Sequence, residues 1–325
     1  MLIIGEKISV IAKKVREALT NRDPKPLQEL AVNQARAGAH YVDVSIGPAE
    51  ENGPELMDWA VKVVHEVVQK PLCLDTTNIK AMEAGLKAHN NQWGAPIVNS
   101  TSNEPERFPM MDLAGKYNAK IIALTLGKGS IPADAEDRCV IASEIMARAM
   151  EYGVPMENLF LDPLILQICT MQDQGRQAIR AIKMFQELND PPMQTVVGLS
   201  NISNGAPKEL RPILNRVYTA LLMYEGLDSA IIDPLEREMI EVIKLVLGGG
   251  MVEFHGEFYD FDKLQMSPAP SKPVPFYVGG HTMCSQAFTV QTAQGPAVFP
   301  GDTIFYYENL ERDHPIGAAV DQIQC

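Results

Sequence analysis

The chain alternates short apolar runs with longer amphipathic stretches, and this alternation constrains its fold more than any other feature. Parallel strands need a long crossover between them, usually a helix, so an apolar run followed by a helical stretch indicates a strand–helix unit. We therefore predict a strand at each run. The runs lie at 2–4, 41–44, 72–74, 96–98, 121–126, 159–161, 195–197 and 230–232.

The stretches between the runs have helical periodicity. After the second run, apolar side chains recur every three or four residues at Leu56, Ala60, Val63, Val64 and Val67, which is typical of one buried helix face. Several stretches also end in a glycine shortly before the next run, where a left-handed helix C-cap is expected. These glycines are Gly38, Gly153 and Gly226.

Strand–helix units of about 30 residues fit eight times before residue 248, which is the number and size of the units in a (β/α)8 TIM barrel. A doubly wound open sheet would also alternate, but no glycine-rich phosphate turn follows the first run, and the barrel is the better prediction. We predict a barrel domain over residues 1–247 and a C-terminal extension over 248–325.

The character of the chain changes after Gly248. Residues 254–261 alternate aromatic and polar side chains, which predicts a hairpin, and a proline-rich link leads to a strand-like segment at 276–278. The prolines of that link are Pro268, Pro270, Pro273 and Pro275. No helical period follows Met283, so this part is surplus to a complete barrel.

Composition narrows the class of protein. Hydrophobic residues make up 46% and charged residues 21% of the 325 residues, as in ordinary globular domains. The net charge of −13 repels phosphate backbones, so nucleic acid is not an expected partner. The chain has neither an apolar run of membrane-spanning length nor a recognisable secretory signal. Its five cysteines are scattered without a CxxC pair, and we expect a cytoplasmic protein.

Acidic and amide residues stand where the predicted strands end. Functional groups of TIM barrels gather at the carboxyl ends of the strands, so these side chains are candidate site residues. A helix-capping role is an equally good explanation for two of them, Asp43 and Asp233. The full set is Glu6, Asp43, Asp75, Asn99, Thr125, Asp162, Asn201 and Asp233.

These residue types favour one kind of ligand. Carboxylates accept from N–H groups and an amide both donates and accepts, which matches the edge of a flat heterocycle such as the aminopyrimidinone of a pterin. The histidines lack metal-ligand spacing, and solvated or capping roles are expected for His40, His65 and His89. No bound metal is predicted.

Seven stretches resemble the motifs of methyltetrahydrofolate:corrinoid protein methyltransferases, in consistent order across residues 1–247. These enzymes share a pterin-binding TIM barrel with dihydropteroate synthase and with the folate module of cobalamin-dependent methionine synthase. The stretches are IIGEKI at 3–8, DVSIGP at 43–48, LDTTNIKAMEAGL at 74–86, IVNST at 97–101, LDPLIL at 161–166, GLSNIS at 198–203 and RPILNR at 211–216.

The resemblance implies roles for individual residues. Asp75, Asn99 and Asp162 match family positions that hold the pterin, and Asn201 matches the asparagine that hydrogen-bonds near the folate N5. Asn201 and Asp75 are therefore the candidate catalytic residues. Asn204 replaces a frequent glutamine, and Arg211 resembles a loop arginine of the family. Glu6, Asp43 and Ser200 are further candidates for substrate binding.

The implied reaction moves a methyl group between N5 of tetrahydrofolate and the cobalt of a corrinoid. No Asp-x-His-x-x-Gly corrinoid motif is present, so the corrinoid is expected on a separate partner protein. The resemblance also implies a homodimer. Two alternatives stay open at this point: an enzyme like dihydropteroate synthase, and a non-catalytic pterin-binding barrel.

The extension resembles a different family. Residues 252–281 are similar to a short segment of luciferase-like flavin or deazaflavin oxidoreductases. The rest of that family's barrel is not matched, so no flavin is predicted.

Overall fold

Eight parallel strands, paired in the order in which they occur in the chain, close into a barrel. The computed structural model describes residues 1–127 and 130–248 and, beyond them, only the backbone of five short strands. The predicted (β/α)8 fold is confirmed. The strands are β1 (Leu2–Ser9), β2 (Tyr41–Ser45), β3 (Leu72–Asp75), β4 (Ile97–Ser102), β5 (Lys120–Leu124), β6 (Leu159–Asp162), β7 (Gln194–Gly198) and β8 (Ser229–Ile232).

Helices cover the outside of the barrel. Two of them follow β1, and one follows each of the other barrel strands. They are α1 (Lys13–Asn21), α2 (Pro24–Arg36), α3 (Gly53–His65), α4 (Ile79–Ala88), α5 (Pro109–Tyr117), α6 (Ala135–Glu151), α7 (Gln172–Gln186), α8 (Arg211–Tyr224) and α9 (Arg237–Gly248). The predicted glycine caps are confirmed by positive φ values after three of these helices: Gly38 has φ 99°, Gly153 69° and Gly226 95°.

The barrel interior changes from apolar to polar along several of the strands. Its apolar layer consists of Ile4, Tyr41, Cys73, Ile97, Ile122, Phe160 and Val196. Because strand side chains alternate with a period of two, the residue two positions after each of these points into the same interior. In β2, β3, β4 and β6 that next position holds an acid or an amide. The polar end of the barrel, at the carboxyl ends of the strands, is called the mouth below.

The pairing register breaks in two strands near the mouth. In β1 the pairing with β2 shifts between Gly5 and Ile8, and in β4 the pairing with β5 shifts between Asn99 and Thr101. Such irregularities re-aim side chains and are common near active sites. Here they lie beside two of the predicted site residues, Glu6 and Asn99.

The chain divides into two compact units, Met1–Ile243 and Lys244–Cys325. In the second unit, β9 (Met251–Phe254) and β10 (Glu257–Asp260) pair antiparallel, so a hairpin is present, and it begins three residues earlier than the predicted 254–261. A second sheet contains β11 (Phe276–Tyr277), β12 (Gln286–Thr292) and β13 (Gly295–Phe299). The proline-rich link lies outside the described residues. The assignment of 1–247 and 248–325 as two domains stays a prediction, as does the luciferase-like resemblance.

Within the described part of the chain, no helix is both long and apolar enough to cross a membrane.

Candidate active site

Three neighbouring strands bring predicted site residues side by side at the mouth. In the pairing register, Ser45 of β2 lies opposite Asp75 of β3, and Asp75 lies opposite Asn99 of β4. Asp43 lies two residues before Ser45 in β2, deeper in the barrel interior, and is only 4% exposed. The sequence therefore places two carboxyls, a hydroxyl and an amide on one continuous patch of the barrel wall.

Hydrogen bonds join these four side chains in pairs. Asn99 Nδ2 donates to Asp43 Oδ1 at 3.2 Å, and the hydroxyl of Ser45 donates to the Asp75 carboxyl. Asp43 lies within β2 and bonds a side chain of another strand, so the helix-capping explanation does not apply to it. These bonds orient both carboxyls from the side and hold the patch in one arrangement.

Burial dominates the electrostatics of the two carboxyls. It raises the pKa of Asp43 well above its usual range, and the neighbouring Asp75 charge raises it further. Burial also raises the pKa of Asp75, while the bond from Ser45 and the charge of Arg107 lower it. Two acids that share a desolvated site do not both ionise readily. A ligand with N–H donors would stabilise their charged forms.

Arg107, which the sequence did not point to as a site residue, connects the loops above this patch. Its Nη2 donates to Ser100 O at 2.8 Å and its Nη1 to Thr77 O at 3.3 Å. The guanidinium therefore ties β4 to the segment after β3, close enough to Asp75 to act on its pKa. One sequence signal was available: Arg107 is the only Lys or Arg between Lys87 and Lys116.

Asp162 forms a second anchor on the far side of the barrel. It is 5% exposed and its Oδ1 accepts from Leu164 N at 2.7 Å, while the backbone N–H of Gly198 donates to the same carboxyl. Burial raises its pKa to about 7, against these two bonds and the charge of Arg138. Thr125, another predicted strand-end residue, is fully buried and donates through Oγ1 to Asp162 O at 2.9 Å. Thr125 supports the backbone of this strand end.

A short 3₁₀ helix, Leu199–Ser203, follows β7 and carries the predicted catalytic amide. Asn201 is exposed, and Asn204 Nδ2 donates to Asn201 Oδ1 at 3.4 Å. Ser200 is directly before Asn201, and its Oγ lies 2.7 Å and 2.9 Å from Oε1 and Oε2 of Glu6. The contact with Glu6 links the helix that carries Asn201 to β1.

Glu6 connects the two halves of the mouth electrostatically. Burial raises its pKa, which the hydrogen bond from Ser200 opposes, and its charge in turn raises the pKa of Asp43. Asp233 also raises the pKa of Glu6, but Asp233 is itself bonded to Lys7 Nζ at 2.7 Å and accepts from Leu235 N at 3.0 Å. The bond from Leu235 N stabilises the turn before α9, which begins at Arg237, and is not a cap of that helix.

Arg211 lies at the beginning of α8, exposed, with its Nε donating to Ala206 O at 2.9 Å. The arginine therefore closes the loop that follows the 3₁₀ helix. Cys169, from the loop after β6, contacts the same loop by donating through Sγ to Asn204 O at 3.1 Å. These contacts position Asn204 and Arg211 on the rim of the mouth.

The donor set fits an organic heterocycle better than a metal ion. Among residues 1–127 and 130–248, no three His, Cys, Asp or Glu side chains are grouped so that they could hold a metal. The buried acids accept few hydrogen bonds from the protein, and each would gain from N–H groups of a ligand. The absence of a bound metal in the function stays a prediction.

Comparison with known proteins decides the family. The sequence profile described as "Pterin binding enzyme" matches residues 12–233, which is most of the barrel. The chain belongs to the pterin-binding enzyme family. The family resemblance predicted from the motifs is thereby confirmed, and with it the prediction that the protein is an enzyme.

Two curated relatives cover the same region of the chain. Methylcorrinoid:tetrahydrofolate methyltransferase of Eubacterium limosum is 29% identical over 247 residues, which are 75% of this chain and 89% of that protein. Methionine synthase of Mycobacterium leprae (strain TN) is 32% identical over 243 residues, which are 71% of this chain but only 20% of that much longer protein.

A solved pterin-binding enzyme has the same fold. Dihydropteroate synthase from Stenotrophomonas maltophilia, with imidazole bound in its active site, superposes with a TM-score of 0.57 over 76% of this chain and 92% of that one. The sequence identity is 13%, so this likeness establishes the barrel fold alone.

Proposed function

We propose that this protein transfers a methyl group between N5 of tetrahydrofolate and the cobalt of a corrinoid carried by a partner protein. The observation that carries the proposal is the arrangement of buried acids and amides around the mouth, with Asn201 exposed above them. The similarity to the Eubacterium limosum methyltransferase over 89% of that protein supports the same reaction.

The patch that contains Asp75 and Asn99, together with Asp162 on the far side of the barrel, suits a reduced pteridine. In this proposal Asp75, Asn99 and Asp162 contact the aminopyrimidinone edge, since carboxylates accept from its N–H groups and the amide both donates and accepts. Asp43 holds Asn99 from below through the 3.2 Å bond and fixes which way the amide faces. Asn204 and Arg211 lie on the rim, where the longer part of a folate leaves the barrel.

The chemical difficulty is a poor leaving group. A methyl group departs from the tertiary amine N5 readily only when that nitrogen gains positive charge. Hydrogen bonding that strengthens as the charge develops lowers the barrier directly. An amide does not titrate, so Asn201 orients and polarises N5 without supplying the proton itself. Asp75 belongs to the network through which a proton reaches the site. A reduced corrinoid supplies the cobalt nucleophile that accepts the methyl group.

Exposed apolar side chains around the mouth support a protein partner. Isolated apolar residues on a surface are ordinary, but these all stand on loops or helix starts at the same end of the barrel. They follow four different strands, so together they surround the opening through which a corrinoid would reach N5. They are Ile11 (85% exposed), Ile131 (43%), Met171 (39%) and Leu235 (39%).

The remaining features stay predictions. The same site serves demethylation of methyltetrahydrofolate and the reverse reaction, by microscopic reversibility. A homodimer is predicted, and α8 exposes an apolar stripe at helical spacing on which subunits could pack. The stripe contains Ile213 (47% exposed), Val217 (45%), Leu221 (39%) and Tyr224 (64%). A cytoplasmic location also stays a prediction.

The alternative of a dihydropteroate synthase needs basic groups that bind a diphosphate. Three cations described at the mouth are already engaged by the protein: Lys7 by Asp233, Arg107 by two carbonyls and Arg211 by Ala206 O. The similarity to that enzyme concerns the fold alone. Methyl transfer is therefore the better proposal.

The decisive experiment mixes the purified protein with methyltetrahydrofolate and cob(I)alamin under anaerobic conditions. The change from the cobalt(I) to the methylcobalt absorption spectrum reports transfer. We expect turnover that depends on the protein and on folate. Folate binding without transfer would favour the non-catalytic barrel, and formation of dihydropteroate from p-aminobenzoate and a pterin diphosphate would favour the synthase.

A further inference from the structure

Arg138 of α6 is a fully buried cation whose direct partners are all uncharged. Its side chain is 0% exposed. Nε donates to Pro163 O at 2.6 Å, Nη1 to Asp134 O at 2.9 Å and Nη2 to Gln174 Oε1 at 2.6 Å. Two backbone carbonyls and one amide therefore satisfy the guanidinium, without a carboxylate bonded to it.

A buried charge without a bonded counter-ion is costly. Guanidinium stays protonated in proteins, so the cost of desolvation is not relieved by loss of the proton. Removing an ion from water costs several kcal/mol even after the surroundings relax. Filling this space alone does not require a charged side chain. The position of the charge, beside the predicted pterin anchor, points to a different role.

The contacts of Arg138 converge on the segment that follows Asp162. Pro163, whose carbonyl the arginine holds, is the next residue after Asp162, and Leu164 has φ 62°. In this left-handed conformation the N–H of Leu164 turns back and donates to Asp162 Oδ1 at 2.7 Å. Arg138 thus anchors the turn that presents a hydrogen-bond donor to the Asp162 carboxyl.

The charge of Arg138 also acts on Asp162 through space. It lowers the pKa of Asp162, while burial raises it. The other groups around the arginine are the acids Asp134 and Asp137 of the segment at the start of α6 and the phenol of Tyr218 on α8. Tyr218 is buried and donates to Gly175 O at 2.7 Å, and burial raises its pKa, so it stays neutral near pH 7. Asp162 is the member of this group that lies at the barrel mouth.

We propose that Arg138 is a positioning residue that anchors the Pro163–Leu164 turn and favours the ionised form of the Asp162 carboxyl for a ligand at the mouth. An ionised carboxyl accepts from two N–H groups of a heterocycle, whereas a protonated one cannot do so with both oxygens. The inference rests on the proposed function only in naming a pteridine as that ligand. The effect on Asp162 exists whether or not folate binds.

Gln174→Glu separates the electrostatic role from a structural one. It places a carboxylate beside Arg138 Nη2. This strengthens that contact and also offsets the effect of the Arg138 charge on the pKa of Asp162. A purely structural role predicts no change in the titration of Asp162. The proposed role predicts that the midpoint rises by about 0.5 of a pH unit. Gln174→Met is the matched control, because it removes the contacts to Arg138 and to Ala133 O without adding charge.

Arg138→Met removes the charge itself and is expected to raise the midpoint further, by about one pH unit. Arg148→Met is its control, since Arg148 lies on the same helix, half-exposed and paired with Glu151 at 2.6 Å. Arg138→Lys retains the charge but cannot reach three acceptors. Compared with Arg138→Met, this variant should bring the titration midpoint of Asp162 back to the wild-type value but should not restore the ligand affinity. If Arg138→Met does not fold, the two Gln174 variants decide the question.

The titration is measured by NMR on protein labelled with 13C at the aspartate carboxyls, with the Asp162 signal assigned by its loss in Asp162→Asn. Tetrahydrofolate affinity is measured in parallel between pH 6 and 8. A raised midpoint with a matching loss of affinity at low pH supports the inference. An unchanged midpoint in both Gln174→Glu and Arg138→Met overturns it. A raised midpoint without any folate binding leaves the role of Arg138 intact and contradicts the proposed function instead.

Discussion

The Oγ of Ser200 lies 2.7 Å and 2.9 Å from the two carboxylate oxygens of Glu6, although the two residues are separated by 194 positions in the chain. Glu6 belongs to β1, and Ser200 to the 3₁₀ helix after β7. Since Ser200 directly precedes Asn201, this contact fixes the peptide that carries the predicted catalytic amide. Glu6 and Ser200 thereby act on the site through Asn201 as well as through any direct contact with substrate.

Ser200→Ala should slow methyl transfer more than it weakens folate binding. A hydrogen bond to a charged group contributes about 1.5 kcal/mol, which corresponds to about a tenfold change in rate. We expect single-turnover transfer to fall by about tenfold with folate affinity changed by less than about threefold. Glu6→Gln retains an acceptor for the hydroxyl and should lose less. Wild-type rates in Ser200→Ala would show that the contact does not position Asn201.

Asn201→Ala tests the amide itself. Loss of a hydrogen bond to N5 that strengthens in the transition state lowers the rate by at least about tenfold and up to about a thousandfold, while ground-state binding is retained. Asn33→Ala is the matched control, because Asn33 is an exposed asparagine on α2 and belongs to no part of the candidate site. Transfer kinetics and equilibrium titration with methyltetrahydrofolate are measured for both. Equal rates in wild type and Asn201→Ala would remove Asn201 from the mechanism.

Asp162→Asn should stabilise the protein above neutral pH while weakening folate binding. Burial raises the pKa of Asp162 from 3.8 to about 7. The folded state therefore binds this proton more tightly than the unfolded state does. The contribution of the protonated carboxyl to the free energy of unfolding is lost as pH rises from about 4 through about 7. Asparagine does not ionise, so we expect a gain of about 2 kcal/mol at pH 8 and almost none at pH 4. Urea denaturation at the two pH values measures it.

An exposed acid serves as the control for this measurement of stability. Glu51→Gln changes an exposed acid in a loop and should leave the unfolding free energy within about 0.5 kcal/mol of wild type at both pH values. Equal stability of Asp162→Asn and wild type at pH 8 would mean that the carboxyl is not penalised by burial.

Much of the fold could be predicted because its determinants are local. Each strand appears in the sequence as a short apolar run, and each helix as a stretch of 3.6-residue period. The second helix between β1 and β2 was not predicted, since each apolar run was paired with a single helical stretch. The proline at the start of α2 and Asp23 before it, whose side chain caps the helix, were the available signals.

Part of the candidate site could be predicted from polar residues near strand ends, whereas Ser200, Asn204 and Arg211 became candidates only through the family resemblance. Asp75, Asn99 and Asp162 fall at such positions, so the topology of the barrel brings them to the mouth. Arg138 lies on a helix outside the barrel, and a charged residue there would ordinarily face solvent. Its position among Ala135, Ala142 and Ile145 on the apolar face of α6 was the one sign that it is buried. Its contacts depend on packing that no local pattern encodes.

The end of the barrel opposite to the mouth should be sensitive to acid. Burial lowers the pKa of His65 to about 4, and that of His89 is also lowered. His89 Nε2 accepts from Leu72 N at 3.1 Å, so protonation of that nitrogen breaks a contact with β3. The unfolded state binds these protons more tightly, and stability is therefore lost as pH falls from about 6.5 towards 4.

The contribution of His65 is measured by comparing His65→Gln with wild type. After allowance for its partial exposure, protonation of His65 should cost about 1 kcal/mol between pH 7 and pH 5. His65→Gln should lose less stability than wild type over this interval in urea denaturation. Lys62→Gln, an exposed position on the same helix, is the control and should follow wild type. Parallel pH profiles for His65→Gln and wild type would contradict the assignment.

In the proposed function, the buried acids and amides of the barrel mouth bind a reduced pteridine. Isothermal titration of tetrahydrofolate into wild type, Asp75→Ala and the exposed-acid control Glu241→Gln tests it most directly. Loss of a charge-assisted hydrogen bond costs about 1.5–3 kcal/mol, so we predict at least a tenfold loss of affinity in Asp75→Ala and none in the control. Unchanged affinity in Asp75→Ala, or no binding to wild type, would contradict the account.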